Sequence, residues 1–279
     1  MKRSTLTGLI VVLSVLIVAC TKTEPDPGPP PPLSKITKLK IRFTQNVNGV
    51  DLDPTDTIQY TNLSGNIYSV KSMRYLISNI RLNDYNYTNY EIDEYHLIDV
   101  NDENTLLFEV EKDFPTGHYA SISLFVGFLE GENITGKYPD LSNLTPTWNY
   151  PLAAGGRGGY YTMQLSGRFQ DNPTDLVPDP YELGLGSDIL KINSTDSSWQ
   201  PNEIIASLKD SGFEVPDGTE SVTVEIKIDL NLLFESQWGI ANFNLMGHNS
   251  NLEYDHIGSA ELSGNLSTAF KMGSVTYNE

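Results

Sequence analysis

Val222-Thr223-Val224-Glu225-Ile226-Lys227-Ile228-Asp229-Leu230 places an apolar side chain at every second position, with a polar or charged one between. In an extended chain successive side chains point to opposite faces, so this period of two predicts a strand with Val222, Val224, Ile226 and Ile228 on one buried face. A helix would need apolar residues three and four apart. The same alternation opens the folded region at Lys38-Leu39-Lys40-Ile41-Arg42-Phe43, and it assigns Leu39, Ile41 and Phe43 to the same core. It recurs at Ile122-Ser123-Leu124-Phe125-Val126 and at Tyr161-Thr162-Met163-Gln164-Leu165.

Turn clusters separate these runs: Asn46-Val47-Asn48-Gly49, Asn101-Asp102-Glu103-Asn104, Phe114-Pro115-Thr116-Gly117 and Val215-Pro216-Asp217-Gly218. Each supplies residues that fix φ or tolerate positive φ. Many half-buried strands between turns predict a mainly β fold, an antiparallel β-sandwich-like single domain with long loops and little helix, over residues 34–279. One short helix is expected at Pro201–Gly212, with Pro in its first turn and Gly past its end, and Val70–Tyr75 reads as another turn. The stretch from Gly131 to Gly159 reads as a long loop of the kind that carries function. Its last part, 151–159, reads equally well as a disordered insertion because of its glycines.

The amino-terminal part has a different character. Met1-Lys2-Arg3 precedes an apolar run from Leu9 to Ala19, too short for a bilayer span, which ends in Leu16-Ile17-Val18-Ala19-Cys20. This is the pattern of a lipoprotein signal peptide over 1–19, with the Cys20 thiol as the acyl acceptor. A plain signal peptide or a core cysteine are the alternatives, but Cys20 is the one cysteine in the chain and stands where a lipobox needs it. A single cysteine also means no intramolecular disulfide. The Pro-rich segment 20–33 reads as an extended tether. The expectation is a protein anchored through its lipid to a bacterial membrane, the outer membrane, and facing the periplasm or the cell surface.

The formal net charge of -18 argues against nucleic acid and anionic headgroups as partners. No Gly-x-Ser-x-Gly elbow, paired-histidine zinc helix or phosphate-cradling glycine loop occurs, so no catalytic residue is assigned and the protein is expected not to be an enzyme. Acidic turns such as Asp51–Asp56 and Asp171–Asp175 read as Asx turns, since they lack the remainder of a calcium loop. Of the four histidines, His96, His118, His248 and His256, the last two flank a polar stretch and are expected in solvent.

The segment Ser69-Val70-Lys71-Ser72-Met73-Arg74-Tyr75-Leu76-Ile77-Ser78-Asn79-Ile80-Arg81-Leu82 resembles the MbnP-like copper-binding lipoprotein family, most of all its Bacteroidota-type members. Tyr95-His96-Leu97-Ile98-Asp99, Pro115-Thr116-Gly117-His118-Tyr119, Trp148-Asn149, and Ile228-Asp229-Leu230 with Phe234 fit in the same order. The resemblance implies a β domain outside the cytoplasm that binds copper through histidine, in some members near an oxidised tryptophan. Carried over by residue, it points to His96, with His118 and Trp148, as candidate metal ligands. Two departures weaken that set. A histidine pair found after the first-strand phenylalanine in relatives is replaced by Gln45-Asn46, and a His-Ile-Gly-Gly segment by Tyr181-Glu182-Leu183-Gly184-Leu185-Gly186.

Two readings therefore stand side by side. One is a non-catalytic lipoprotein holding copper at a degenerate site through His96, His118 and Trp148. The other is a surface binding lipoprotein on the same fold without the metal, engaging a protein or glycan through its long loop and its fifteen tyrosines.

Overall fold

In the computed structural model the described residues are 35–278, apart from 86–87, 153–155, 172–173, 175–176, 187, 193–194, 237–241 and 251. The signal segment, Cys20 and the Pro-rich tether lie outside the described residues. In chain order the strands are β1 (Ile36–Val47), β2 (Val50–Asp51), β3 (Tyr60–Thr61), β4 (Ile67–Tyr68), β5 (Ser72–Asp84) and β6 (Asn89–Asp99). A 3-10 turn, η1 (Glu103–Leu106), leads to β7 (Leu107–Glu109), β8 (Phe114–Pro115) and β9 (Gly117–Val126). After the one-turn helix α1 (Pro139–Ser142) come β10 (Tyr161–Gln170), β11 (Asp179–Gly186), β12 (Asp188–Ile192) and β13 (Ser197–Pro201). Then follow β14 (Ile204–Ser207), β15 (Phe213–Val215), β16 (Ser221–Asp229), the 3-10 turn η2 (Leu230–Leu233), α2 (His256–Leu266) and β17 (Phe270–Asn278).

The fold is mainly β and sandwich-like, as the alternation predicts. One sheet runs β17-β16-β1-β2, with β7 and β8 also on β1. The other runs β14-β9-β5-β10-β4-β3, with β6 on β5, β11 on β10 and β15 on β9. The two clearest strands of the sequence are neighbours: β1 pairs with β16 in parallel, Leu39 against Val222 and Phe43 against Ile226. Leu39, Ile41, Phe43, Val222, Val224, Ile226 and Ile228 are at most 1% exposed and share the inter-sheet core with Met73, Tyr75 and Ile77 of β5. Two tyrosine hydroxyls drawn into that core are paired, as burial favours: Tyr68 Oη donates to Asn231 Oδ1 at 2.7 Å and Tyr181 Oη to the Ser69 carbonyl at 2.7 Å.

Two local expectations are corrected. Pro201–Gly212 is not a helix but contains β14, antiparallel to β9. Ile204, Ala206 and Leu208 are buried while Ile205, Ser207 and Lys209 are exposed, so burial follows a period of two. Val70–Tyr75 is not a separate turn, because Ser72 already begins β5. The helix that does form, α2, is capped by Asp255 Oδ1, which accepts from Gly258 N at 2.9 Å. It escapes an apolar-periodicity reading because the residues it buries include Gly258, Ser259, Ser263 and Asn265 while Ile257 is exposed.

The stretch from Gly131 onward is a packed lobe over its described residues. Leu141 of α1, Trp148, Tyr160 and Phe128 form a second apolar cluster with Leu76 of β5, and Tyr95, Leu97, Tyr138 and Tyr161 pack against it. An isolated bridge from Asn149 to Tyr160 closes it.

Candidate functional site

His96, His118 and Trp148 occupy three separate environments. On β6 the residues alternate, so His96 and Ile98 face the inter-sheet core while Tyr95 and Leu97 face the Trp148 cluster on the other side of the larger sheet. The His96 ring stacks on Phe108 at 4.7 Å and lies parallel to Phe43 at 6.4 Å. Its Nε2 is 2.7 Å from the Thr105 carbonyl, which can only accept, so that nitrogen carries the hydrogen. Trp148 is fully buried on the opposite face, with the Arg74 guanidinium 4.9 Å above its ring. His118 is exposed, beside Glu214 of β15 at 3.6 Å. Because His96 lies opposite Ile77 of β5 and Tyr119 lies opposite Asp84, with His118 one residue further out, the two histidines are more than seven strand positions apart, roughly 20 Å or more.

The replaced positions are likewise committed. Gln45 is buried and its Nε2 donates to Tyr75 Oη at 3.0 Å, while Asn46 Nδ2 donates to the Ile228 carbonyl at 3.2 Å. Leu183 lies in the core. Among the described residues no group of three or more His, Cys, Asp or Glu side chains gathers as a metal site. The donors implied by the resemblance therefore do not converge and do not fit a copper ion held by several soft ligands. His248, expected in solvent, is largely enclosed instead: its Nδ1 meets Asp255 Oδ2 and its ring lies 5.2 Å from Phe243. His256 is the half-buried first residue of α2.

Burial holds His96 below the ordinary histidine value of 6.5, with the Thr105 carbonyl acting in the opposite direction. The unfolded chain takes up this proton near pH 6.5 and the folded chain only at lower pH. The contribution is thus intact above about pH 6.5 and is lost as pH falls through the folded-state value. His96→Phe should flatten that part of the stability curve in denaturation measured across pH. A slope identical to that of the unsubstituted protein would show that His96 ionises freely in the fold.

A feature that local reading did not single out is a groove of about 640 Å³ on the outer face of the larger sheet, between β10, β11 and the residue 249–250 loop. Its floor comes from neighbouring strands: Ser166 of β10 stands opposite Ser72 of β5 and Glu182 of β11, and Gln164 opposite Gly184. Gly184 has no side chain to fill the trough. Tyr161, held against Trp148 at 5.7 Å and Tyr150 at 5.1 Å, lies at one end. Lys71, Arg168 and Asp56 lie at the other, where Asp56 Oδ2 is 3.5 Å from Lys71 Nζ and 3.8 Å from Arg168 Nε. Alternation over Gln164–Arg168 marks the outward polar row in the sequence, but Tyr161 joins that face only through the bulge between Tyr161 and Met163, and the strands that flank β10 are distant in the chain.

A β-sandwich domain with a groove of mixed polar and apolar lining on an outer sheet face is the class that fold and site define. The MbnP profile matches residues 36–252; the chain belongs to the MbnP family, in line with the resemblance carried by Ser69–Leu82 and Tyr95–Asp99. Among solved structures it is similar to MbnP from Methylosinus trichosporium, with 12% identity and a TM-score of 0.44 over 88% of this chain and 100% of that one. No curated protein matches the sequence.

Proposed function

We propose that the protein is a lipid-anchored, extracytoplasmic and non-catalytic binding module of the MbnP family that holds copper weakly or not at all. The lipobox ending in Cys20 supports the anchor, and family membership supports a place outside the cytoplasm. The observation that carries the reading is the dispersal of the candidate donors: His96 in the inter-sheet core, Trp148 beyond the sheet, His118 at its exposed end. In their place the outer sheet face presents a groove with polar side chains. His96 retains a lone pair on Nδ1, and with His118 far from it one imidazole is the most this set offers a soft ion at any one place.

Isothermal titration with Cu(I) and Cu(II) should show weak binding or none, and His96→Ala should abolish whatever remains. Sub-nanomolar affinity that survives His96→Ala would overturn the reading and direct attention to His118, His248 and His256.

A further inference from the structure

We infer that the groove between β10, β11 and the residue 249–250 loop binds a neutral oligosaccharide along the row Ser72, Ser166 and Glu182. The inference rests on reading the protein as a binding module and names the ligand class of its groove. Ser72 Oγ, Ser166 Oγ and the Glu182 carboxylate make no side-chain hydrogen bond among the described residues, although Ser72 and Ser166 are half-buried. Neighbouring strands lie about 4.8 Å apart, so the three side chains form a row of unspent donors and acceptors across β5, β10 and β11. Hydroxyl-rich ligands are recognised by such groups together with an aromatic surface, and Tyr161 provides one at the groove's end, fixed by its contacts with Trp148 and Tyr150.

Charge narrows the class. The groove holds two carboxylates, Asp56 and Glu182, against two cations, Lys71 and Arg168, so it is locally neutral on a chain of net charge -18. Lys71 and Arg168 both lean on Asp56, and Glu182 brings the charge of the lining to zero and repels a phosphate or uronate from the floor. An extended peptide pairing onto β11 would need the Glu182 N–H, which already donates to the Asn249 carbonyl at 3.0 Å. Tyr161 and Arg168 are seven positions apart on β10, roughly 20 Å, a length suited to several sugar units.

The test is titration of the full chain, purified in a detergent without a sugar headgroup, with cello-, xylo-, manno- and chitotetraose. Trigalacturonate and an acidic and a basic peptide form the comparison arms. At least one neutral tetrasaccharide should bind saturably with an affinity insensitive to ionic strength. Glu182→Ala should weaken it about tenfold, the loss of a charge-assisted hydrogen bond, and Ser166→Trp should block it by filling the floor. Thermal melting of both variants should match the parent protein, because both side chains face the groove. Failure of all four neutral sugars, or binding that survives both substitutions, overturns the inference. Binding of a comparison ligand alone also overturns it while leaving the binding-module reading in place. Release of shortened sugars refutes the non-catalytic reading but not the ligand class.

Discussion

Phe43→Ala is expected to lower the free energy of unfolding by about 3–5 kcal/mol. The ring is 1% exposed and sits in β1, with β16 paired alongside it. It meets Tyr75 edge-on at 6.1 Å and runs parallel to His96 at 6.4 Å, so its removal opens a space that neighbours from both sheets border. The loss combines the transfer free energy of the ring with the cost of a cavity that a two-sheet core closes only partly. Whole domains are stable by about 5–15 kcal/mol, so this one substitution removes a large part of the margin. Phe43→Leu, which keeps most of the volume, should cost clearly less. Denaturant titration of the three proteins decides it, and a loss below about 1 kcal/mol for the alanine variant would show that the core collapses around the site.

The second large effect is on location. Cys20→Ser should move the protein from the membrane fraction to an unprocessed or released form, because Cys20 is the one cysteine in the sequence and no other thiol can take the diacylglycerol. Each buried acyl methylene contributes about 0.8 kcal/mol to membrane binding, so losing the acyl chains removes the proposed anchor outright. The acidic surface offers no electrostatic substitute on an anionic bilayer. Membrane fractionation identical to that of the parent protein would refute the lipid anchor.

Period-two alternation was sufficient to assign β1 and β16 with their inward faces, and about half of β9 and of β10, because a strand's two faces are written directly into neighbouring residues; in β10 a bulge between Tyr161 and Met163 turns Tyr161 to the outer face, against the alternation. The segments Ser69–Leu82 and Tyr95–Asp99 were sufficient to point to the MbnP family. Pairing was beyond local reading: β1 and β16 are about 180 residues apart and meet in parallel, a choice made by the shared core. The segment Pro201–Gly212 carries helix-like ends, yet β9 supplies the partner edge that makes it strand, and tertiary context overrides so weak a preference.

The candidate site divides the same way. His96, His118 and Trp148 are the residues the sequence nominates, but whether they meet depends on side-chain parity across β6 and on which face of the larger sheet receives the Trp148 lobe. Both faces of β5 are buried, so no apolar pattern distinguishes the inter-sheet side from the lobe side. The groove is the complementary case: Ser72, Ser166 and Glu182 are unremarkable polar residues in three distant segments, and only the β5-β10-β11 register sets them side by side. Local sequence determines which way a side chain points from its own strand; the packing of the whole chain decides what it points at.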